Sequence, residues 1–299
     1  MAIQLGCDAV SARPDFLVIG AMKCGTTTLF EDLRSNPSIF IPDKETSGLV
    51  EFDVMSLAGR TAYEELFKAA PASSLIGEVA TTYAMRPHFT GVPERAKSIL
   101  PNVKVVYIVR EPVSRIISHH RHDFSSGALT MDIDDAVRQD PRLLDYTRYA
   151  TQLLPWIDAF GVDSVRVLRF ESYINDRAGT MSDLFAFLGA GTPSTSTRFD
   201  KAHNVSEGKR VATGGWRQVT HSRFYRNRVR PMIPETVRQR IARVVLPQAP
   251  IRPHPPGRET VRLILDELWP EVEQLCAITG SSDWWDPAEV WDQYEPPHS

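Results

Sequence analysis

Cysteine is scarce in this 299-residue sequence: Cys7, Cys24 and Cys276 are far apart and odd in number, so neither a disulfide framework nor a cysteine-based zinc site organises the chain. Positive charge is not in excess. Against 37 Asp and Glu stand 34 Lys and Arg, a net charge of −3, and no basic tail or repeated aromatic–basic pattern occurs, which argues against a nucleic-acid binder. No apolar run approaches the ~20 residues that span a bilayer, and residues 1–13 lack a charged segment followed by an apolar one. The expectation is a cytoplasmic protein with no transmembrane segment. What the chain has instead is 42% hydrophobic residues, enough for a large core in one α/β domain. Lysine is rare, seven in all, so a lysine inside a motif is informative.

The stretch from Pro14 to Glu45 is the most structured part of the pattern. Phe16 to Ile19 is a continuous apolar run ending at Gly20, and Leu29-Phe30-Glu31-Asp32-Leu33 begins a segment with helical spacing. Between them lies a loop, Ala21-Met22-Lys23-Cys24-Gly25, followed by Thr26, Thr27 and Thr28. Strand, tight loop and helix N-terminus make a phosphate cradle, since the first amides of the helix and its dipole point at one place. Gly20, Gly25 and Thr27 fall in register with the nucleotide-binding pattern Gly-x-x-x-x-Gly-Lys-[Ser/Thr]. The lysine does not: Thr26 takes its slot and Lys23 stands earlier in the loop. No apolar strand ends in the Asp that a Mg²⁺-dependent kinase uses, so the loop suits a group with less charge than a γ-phosphate. Cys24 reads as a small packing residue of the loop rather than a nucleophile.

A second motif lies at Val103 to His120. An apolar strand ends in Arg110, Pro112 starts a helix, and Ser118 follows eight residues after the arginine, near two helical turns. The arginine offers a planar fork to a phosphate. Together the two motifs resemble sulfotransferases that use 3′-phosphoadenosine-5′-phosphosulfate (PAPS), particularly the heparan-sulfate and carbohydrate type and its bacterial relatives. The resemblance covers most of the chain, most strongly residues 14–45, 103–120 and 165–189. It implies a P-loop-like central parallel β-sheet flanked by helices, with a helical C-terminal extension, within a single domain of residues 1–299: an α/β core over 14–190, a lid-like basic loop over 191–215 and a helical part over 216–299.

The resemblance also implies roles. Lys23, Cys24, Gly25, Thr26, Thr27 and Thr28 would hold the 5′-phosphosulfate, and Arg110 and Ser118 the 3′-phosphate. Lys23 would stabilise charge on the bridging oxygen, with Ser118 holding it away from the donor until an acceptor arrives. Asn36 to Pro42 reads as turn, short strand and turn, delivering Lys44-Glu45, and the family's glutamate there is its proposed general base. A hydroxyl needs such a base at neutral pH. Where family members continue with Pro or Ile and then aromatics, this chain has Thr46-Ser47-Gly48-Leu49, so Glu51, Glu78 or a histidine stay open as alternatives to Glu45. The segment Gly77 to Tyr83 resembles the family's Gly-Glu-x-Ser-Pro-x-Tyr. Its Glu78 either orients Lys23 or contacts acceptor together with Tyr83, or is a buried carboxylate paired with an arginine. His119, His120 and His122 point in different directions on one helix, which disfavours a metal, and His119 is a candidate substrate contact. Lys209 and Arg210, in the loop 201–210, would close over the donor's phosphates.

The remaining pattern is structural. A helix over 146–160 carries Tyr149, Leu153, Trp156 and Phe160 on one stripe, a strand over 165–170 follows, and a helix runs from Glu171 to Leu188. Further helices are expected over 224–244 and 258–279, the latter with Leu263, Leu265, Leu268, Val272 and Leu275 at helical spacing. The implied reaction consumes PAPS, yields 3′-phosphoadenosine-5′-phosphate (PAP), needs no metal, and delivers sulfuryl to a hydroxyl or amine of a glycan, lipid or natural product. A P-loop small-molecule kinase and a non-catalytic nucleotide-binding protein remain as other readings. Acceptor identity and oligomeric state are not written in the pattern.

Overall fold

The computed structural model describes residues 12–191, 253–281 and 284–294. Strands Phe16–Gly20 (β1), Ile39–Phe40 (β2), Leu75–Val79 (β3), Lys104–Val109 (β4) and Val165–Arg169 (β5) form one sheet in the order β2-β3-β1-β4-β5, and every pair is parallel. Parallel neighbours require crossovers, and the helices provide them. They are Thr26–Arg34 (α1), Gly48–Glu51 (α2), Leu57–Glu65 (α3), Val92–Ile99 (α4), Pro112–Ser125 (α5), Ile133–Gln139 (α6), Arg142–Asp145 (α7), Tyr149–Phe160 (α8), Phe170–Asn175 (α9), Arg177–Leu188 (α10), Arg258–Thr279 (α11) and Pro287–Asp292 (α12). β1 and β4 read as unbroken apolar runs because both faces of a parallel sheet are covered, and Phe16 to Ile19 and Val105 to Val109 are all fully buried.

The described residues group into two compact units. The first takes 12–111, 145–191, 268–281 and 284–285 and contains the whole sheet; the second takes 112–144, 253–267 and 286–294. Residues 112–144 thus group with C-terminal segments rather than with the 14–190 core of the sequence reading. Inside the second unit the Gly257 amide donates to Asp134 Oδ1 at 2.9 Å and Arg138 Nη1 to Thr260 Oγ1 at 3.4 Å.

In the first unit the far half of α1 is anchored by a buried ion pair. Arg177 donates to Asp32 from Nε at 2.7 Å and from Nη2 at 2.6 Å, and the Tyr173 hydroxyl adds a third bond to the same carboxylate. Burial, reinforced by that bond, pushes the Tyr173 hydroxyl far above its ordinary range, so it stays a donor.

One local expectation is corrected and another refined. The helix expected over 171–188 is two helices, because Asp176 leaves helical geometry and caps α10 by accepting from the Gly179 amide at 2.9 Å. In α11 the buried stripe is Val261, Ile264, Leu268, Val272 and Leu275, while Leu263 and Leu265 lie at its margins. Three- and four-residue steps keep one face, and the two leucines are out of phase with it. The helix expected over 224–244 and the loop 201–210 lie outside the described residues. Among the described residues no helix is long and apolar enough to cross a membrane.

Candidate active site

The loop from β1 to α1 turns at the carboxyl edge of the sheet. The Ala21 amide donates to Ile108 O at 2.6 Å and the Cys24 amide to Ala21 O at 3.2 Å, which fixes the loop against β4 and closes its turn. Lys23 takes a left-handed conformation at φ 70° and is half-buried. Gly25, at φ 90°, is the N-cap of α1, and a Cβ there would lie 2.6 Å from the ring of Phe170, so only glycine fits. No side chain caps α1 and its first turn carries no acidic residue, which leaves the positive end of the helix to whatever the loop receives. Thr26 and Thr28 are buried and Thr27 is half-buried. Cys24 is buried with its Sγ 3.8 Å from the Tyr149 hydroxyl, a packing position.

Arg110 leaves β4 on the neighbouring strand. Its carbonyl accepts from the Tyr149 hydroxyl at 2.7 Å, and its guanidinium carbon stands 4.9 Å from the centre of the Phe170 ring. The next amide, of Glu111, donates to Glu171 Oε1 at 3.0 Å, and Glu171 Oε2 also accepts from Trp285 Nε1 at 3.2 Å. Phe170 therefore packs against Gly25 on one side and Arg110 on the other, and the Tyr149 hydroxyl touches both the loop and the strand end. Sequence reasoning assigned Tyr149 to a core stripe and passed over Phe170. The signal available was a hydroxyl in an otherwise apolar stripe.

Glu45 is held beside the end of β3. Its amide donates to Val79 O at 2.8 Å, Oε2 accepts from the Thr81 amide at 2.9 Å and from Thr81 Oγ1 at 3.0 Å, and Oε1 pairs with Lys44 Nζ at 2.6 Å. About a third of the side chain remains exposed, 37%, so the carboxylate is both oriented and reachable. Of the alternatives, Glu51 is exposed at the end of α2.

Glu78 is the buried carboxylate of one expectation, but with other partners than the arginine expected there. It is fully buried, and its partners are two tyrosines, a threonine and a backbone amide rather than an arginine, Lys23 or open space. Tyr83 is buried as well, donating to Glu78 Oε1 at 2.6 Å while accepting from the Leu49 amide at 2.9 Å. Both side chains are closed to solvent, Glu78 fully and Tyr83 to 1% exposure.

In the second unit Ser118 is half-buried on α5, and His119 is 1% exposed with its Nε2 3.5 Å from Asp123 Oδ2. Burial pushes the His119 imidazole down to about 4, only partly opposed by the hydrogen bond to Asp123. Burial acts to raise Asp123, but His119 and Arg142, the latter 3.3 Å away, hold its carboxyl below the usual range. His119 is thus an internal neutral donor rather than a surface contact. His120 is buried with Nε2 3.0 Å from Met131 O, and His122 is exposed. Among the described residues no three His, Cys, Asp or Glu side chains gather as a metal-ligand set. Lys209 and Arg210 lie outside the described residues.

A family model, the sulfotransferase domain, matches residues 13–213. Similar curated proteins include carbohydrate sulfotransferase 15 of Mus musculus, 24% identical over 246 residues covering 60% of this chain and 44% of that protein. Another is the bifunctional heparan sulfate N-deacetylase/N-sulfotransferase 4 of Mus musculus, 27% identical over 196 residues covering 59% of this chain and 22% of that protein. The chain thus spans less than half the length of these relatives. Among solved structures, a sulfotransferase from Alicyclobacillus acidocaldarius superimposes with a TM-score of 0.64 at 20% identity over 94% of this chain and 99% of that one, a likeness of fold. The family match runs through the loop, the base candidate and the arginine strand alike, and the chain belongs to the sulfotransferase domain family.

Proposed function

We propose that the protein transfers a sulfuryl group from PAPS to a hydroxyl or amine, and that the observation carrying this reading is the strand order. β1 and β4 are neighbours, and the connection from β1 runs to β2 on one side of the pair while that from β4 runs to β5 on the other. Ligands of open α/β sheets bind at such a switch point, beyond the carboxyl ends of the strands. There β1 delivers the Lys23 loop and β4 delivers Arg110, with Phe170 packed against Gly25 and Arg110. The donor set fits an anionic nucleotide: an uncapped helix N-terminus with threonine hydroxyls for a phosphosulfate, and a guanidinium for a second phosphate. PAPS as substrate supplies the activated sulfur and a PAP leaving group.

Glu45 accepts the proton of the acceptor O–H or N–H as its lone pair forms the new bond to sulfur. The bridging S–O bond breaks with its electrons on the phosphate oxygen, and the Lys23 ammonium stabilises that charge. The resemblance assigns the 3′-phosphate to Ser118 as well as Arg110, and further donor cations to Lys209 and Arg210. A glycan is the first acceptor class to test, because the curated relatives' names specify carbohydrate and heparan sulfate.

Calorimetry in EDTA, with PAP against ATP and with Arg110→Ala beside wild type, tests the donor. PAP should bind without metal and lose affinity in the variant by about 10- to 100-fold, the loss expected for hydrogen bonds to a charged group. Preference for ATP with Mg²⁺ would overturn the reading in favour of a kinase. Radiolabelled sulfate transfer from PAPS to heparosan oligosaccharide, 2-naphthol or octyl glucoside then separates an enzyme from a nucleotide-binding protein.

A further inference from the structure

We propose that Glu78 is a positioning residue for Glu45: its buried carboxylate clamps the strap over 45–49 and so sets the direction of the base. This rests on the reading of Glu45 as the base. Four donors converge on Glu78. Thr46 Oγ1 at 2.6 Å, the Gly48 amide at 3.0 Å and the Tyr83 hydroxyl at 2.6 Å share Oε1, and the Tyr63 hydroxyl reaches Oε2 at 2.7 Å.

Two of those donors come from the strap itself, within three residues of Glu45. Tyr83 ties in a third strap residue, since the Leu49 amide donates to its oxygen at 2.9 Å. Thr82 Oγ1 adds a bond to Ser47 Oγ at 2.9 Å. The strap lies flat on Tyr63: a Cβ on Gly48 would meet that ring at 2.4 Å.

The clamp has something to hold. Glu45 and Ser47 both occupy the left-handed region, at φ 60° and 52°, a conformation residues with a Cβ seldom adopt. Thr46 lies between them, and its hydroxyl is bonded to Glu78. Release of that bond lets the strap relax, and Glu45 then leaves its bonds to Thr81 and Val79. A carboxylate suits the task because it accepts several short bonds at once. Its donors are secure as well: burial, with the charge of Glu78 next, pushes the hydroxyls of Tyr63 and Tyr83 well above their ordinary range. An apolar core residue would pack here without the desolvation cost of a buried charge. The charge is instead bonded to the segment that carries the base.

The test uses Thr46→Val, which is half-buried and removes only the strap's hydroxyl, with Thr46→Ser as rescue and Glu45→Gln as reference. Thr46→Val should speed amide exchange over Glu45 to Leu49 and lower PAPS turnover by about 10- to 100-fold, the loss that a misplacement of about 1 Å produces. Its PAP affinity should stay within about twofold, since the loop is not touched, while its Tm should fall by about 3–10 °C for the lost hydrogen bond to a charged group. Thr46→Ser should restore protection and turnover to within about threefold of wild type, because the hydroxyl returns. If Glu45→Gln is inactive while Thr46→Val exchanges and turns over like wild type, the clamp is refuted and the base stands. Should Glu45→Gln turn over normally, the base assignment itself falls. Loss of PAP affinity in step with turnover would make Glu78 an ordinary structural contact and overturn the proposal.

Discussion

His119 makes the stability of this protein acid-sensitive in a way that can be calculated. Its imidazole is buried, faces Asp123, Arg115 and Arg142, and protonates only at about 4 rather than at the ordinary 6.5. The two cations and the lack of water oppose a charged ring, and Asp123 does not offset them. Between those two values the unfolded chain takes up a proton that the folded chain refuses. The contribution is therefore complete above pH 6.5, is lost as pH falls, and has no further to fall below about 4. At 1.36 kcal/mol per unit, moving from pH 7.5 to 4.5 removes roughly 2.5 kcal/mol through this one residue.

Urea unfolding of wild type and His119→Gln at both pH values reads this contribution together with the change at Asp123, whose carboxyl His119 helps to hold down; the remaining titrating groups are common to the two proteins. Glutamine keeps a donor for Asp123 and carries no charge. Wild type should lose roughly 2.5 kcal/mol more than the variant, about 1 M or less in urea midpoint for a chain of this size. Equal losses in the two proteins would refute the reasoning, and a larger loss in the variant would reverse its sign.

Two predictions concern the donor site. Lys23→Ala should lower turnover by about 10²- to 10³-fold while PAP affinity falls less, because the lysine acts on charge that appears as the bond breaks; single-turnover kinetics with PAPS beside PAP calorimetry separate the two. Tyr149→Phe keeps the ring but removes the hydroxyl bonded to the Arg110 carbonyl at 2.7 Å. It should cost about 1 kcal/mol, read as a Tm lower by about 2–4 °C and PAP affinity weaker by up to about fivefold.

β1 and β4 were legible in the sequence because strands covered on both faces are written as apolar runs, and β2, β3 and β5 by shorter, partly polar runs bounded by turn residues. The loop from Gly20 to Thr28 was legible for a different reason: a glycine-bounded turn into threonines has few other uses. Glu45 was found by its place after β2. What the sequence did not disclose is mostly pairing across distance. Glu78 was expected either beside Lys23 or the acceptor, or buried beside an arginine, yet its oxygens are satisfied by Tyr63, on a helix before β3, and by Tyr83, just after it. A carboxylate in a strand declares that it needs donors without naming them. Phe170 was invisible as a site residue because its importance lies in which backbone it touches, Gly25, and a glycine leaves no trace of its neighbour in the sequence. The grouping of 112–144 with C-terminal residues likewise depends on contacts, such as Gly257 with Asp134, that have no periodicity to reveal them.

The ion pair between Asp32 and Arg177 also orders events during synthesis. The helix that forms the phosphate cradle is made early, but its carboxylate finds Tyr173 and Arg177 only after about 140 further residues have been added. β5 and Phe170, against which Gly25 packs, arrive at the same stage. A nascent chain that has made β1 and α1 therefore holds the loop without its anchor until residues 170–177 follow.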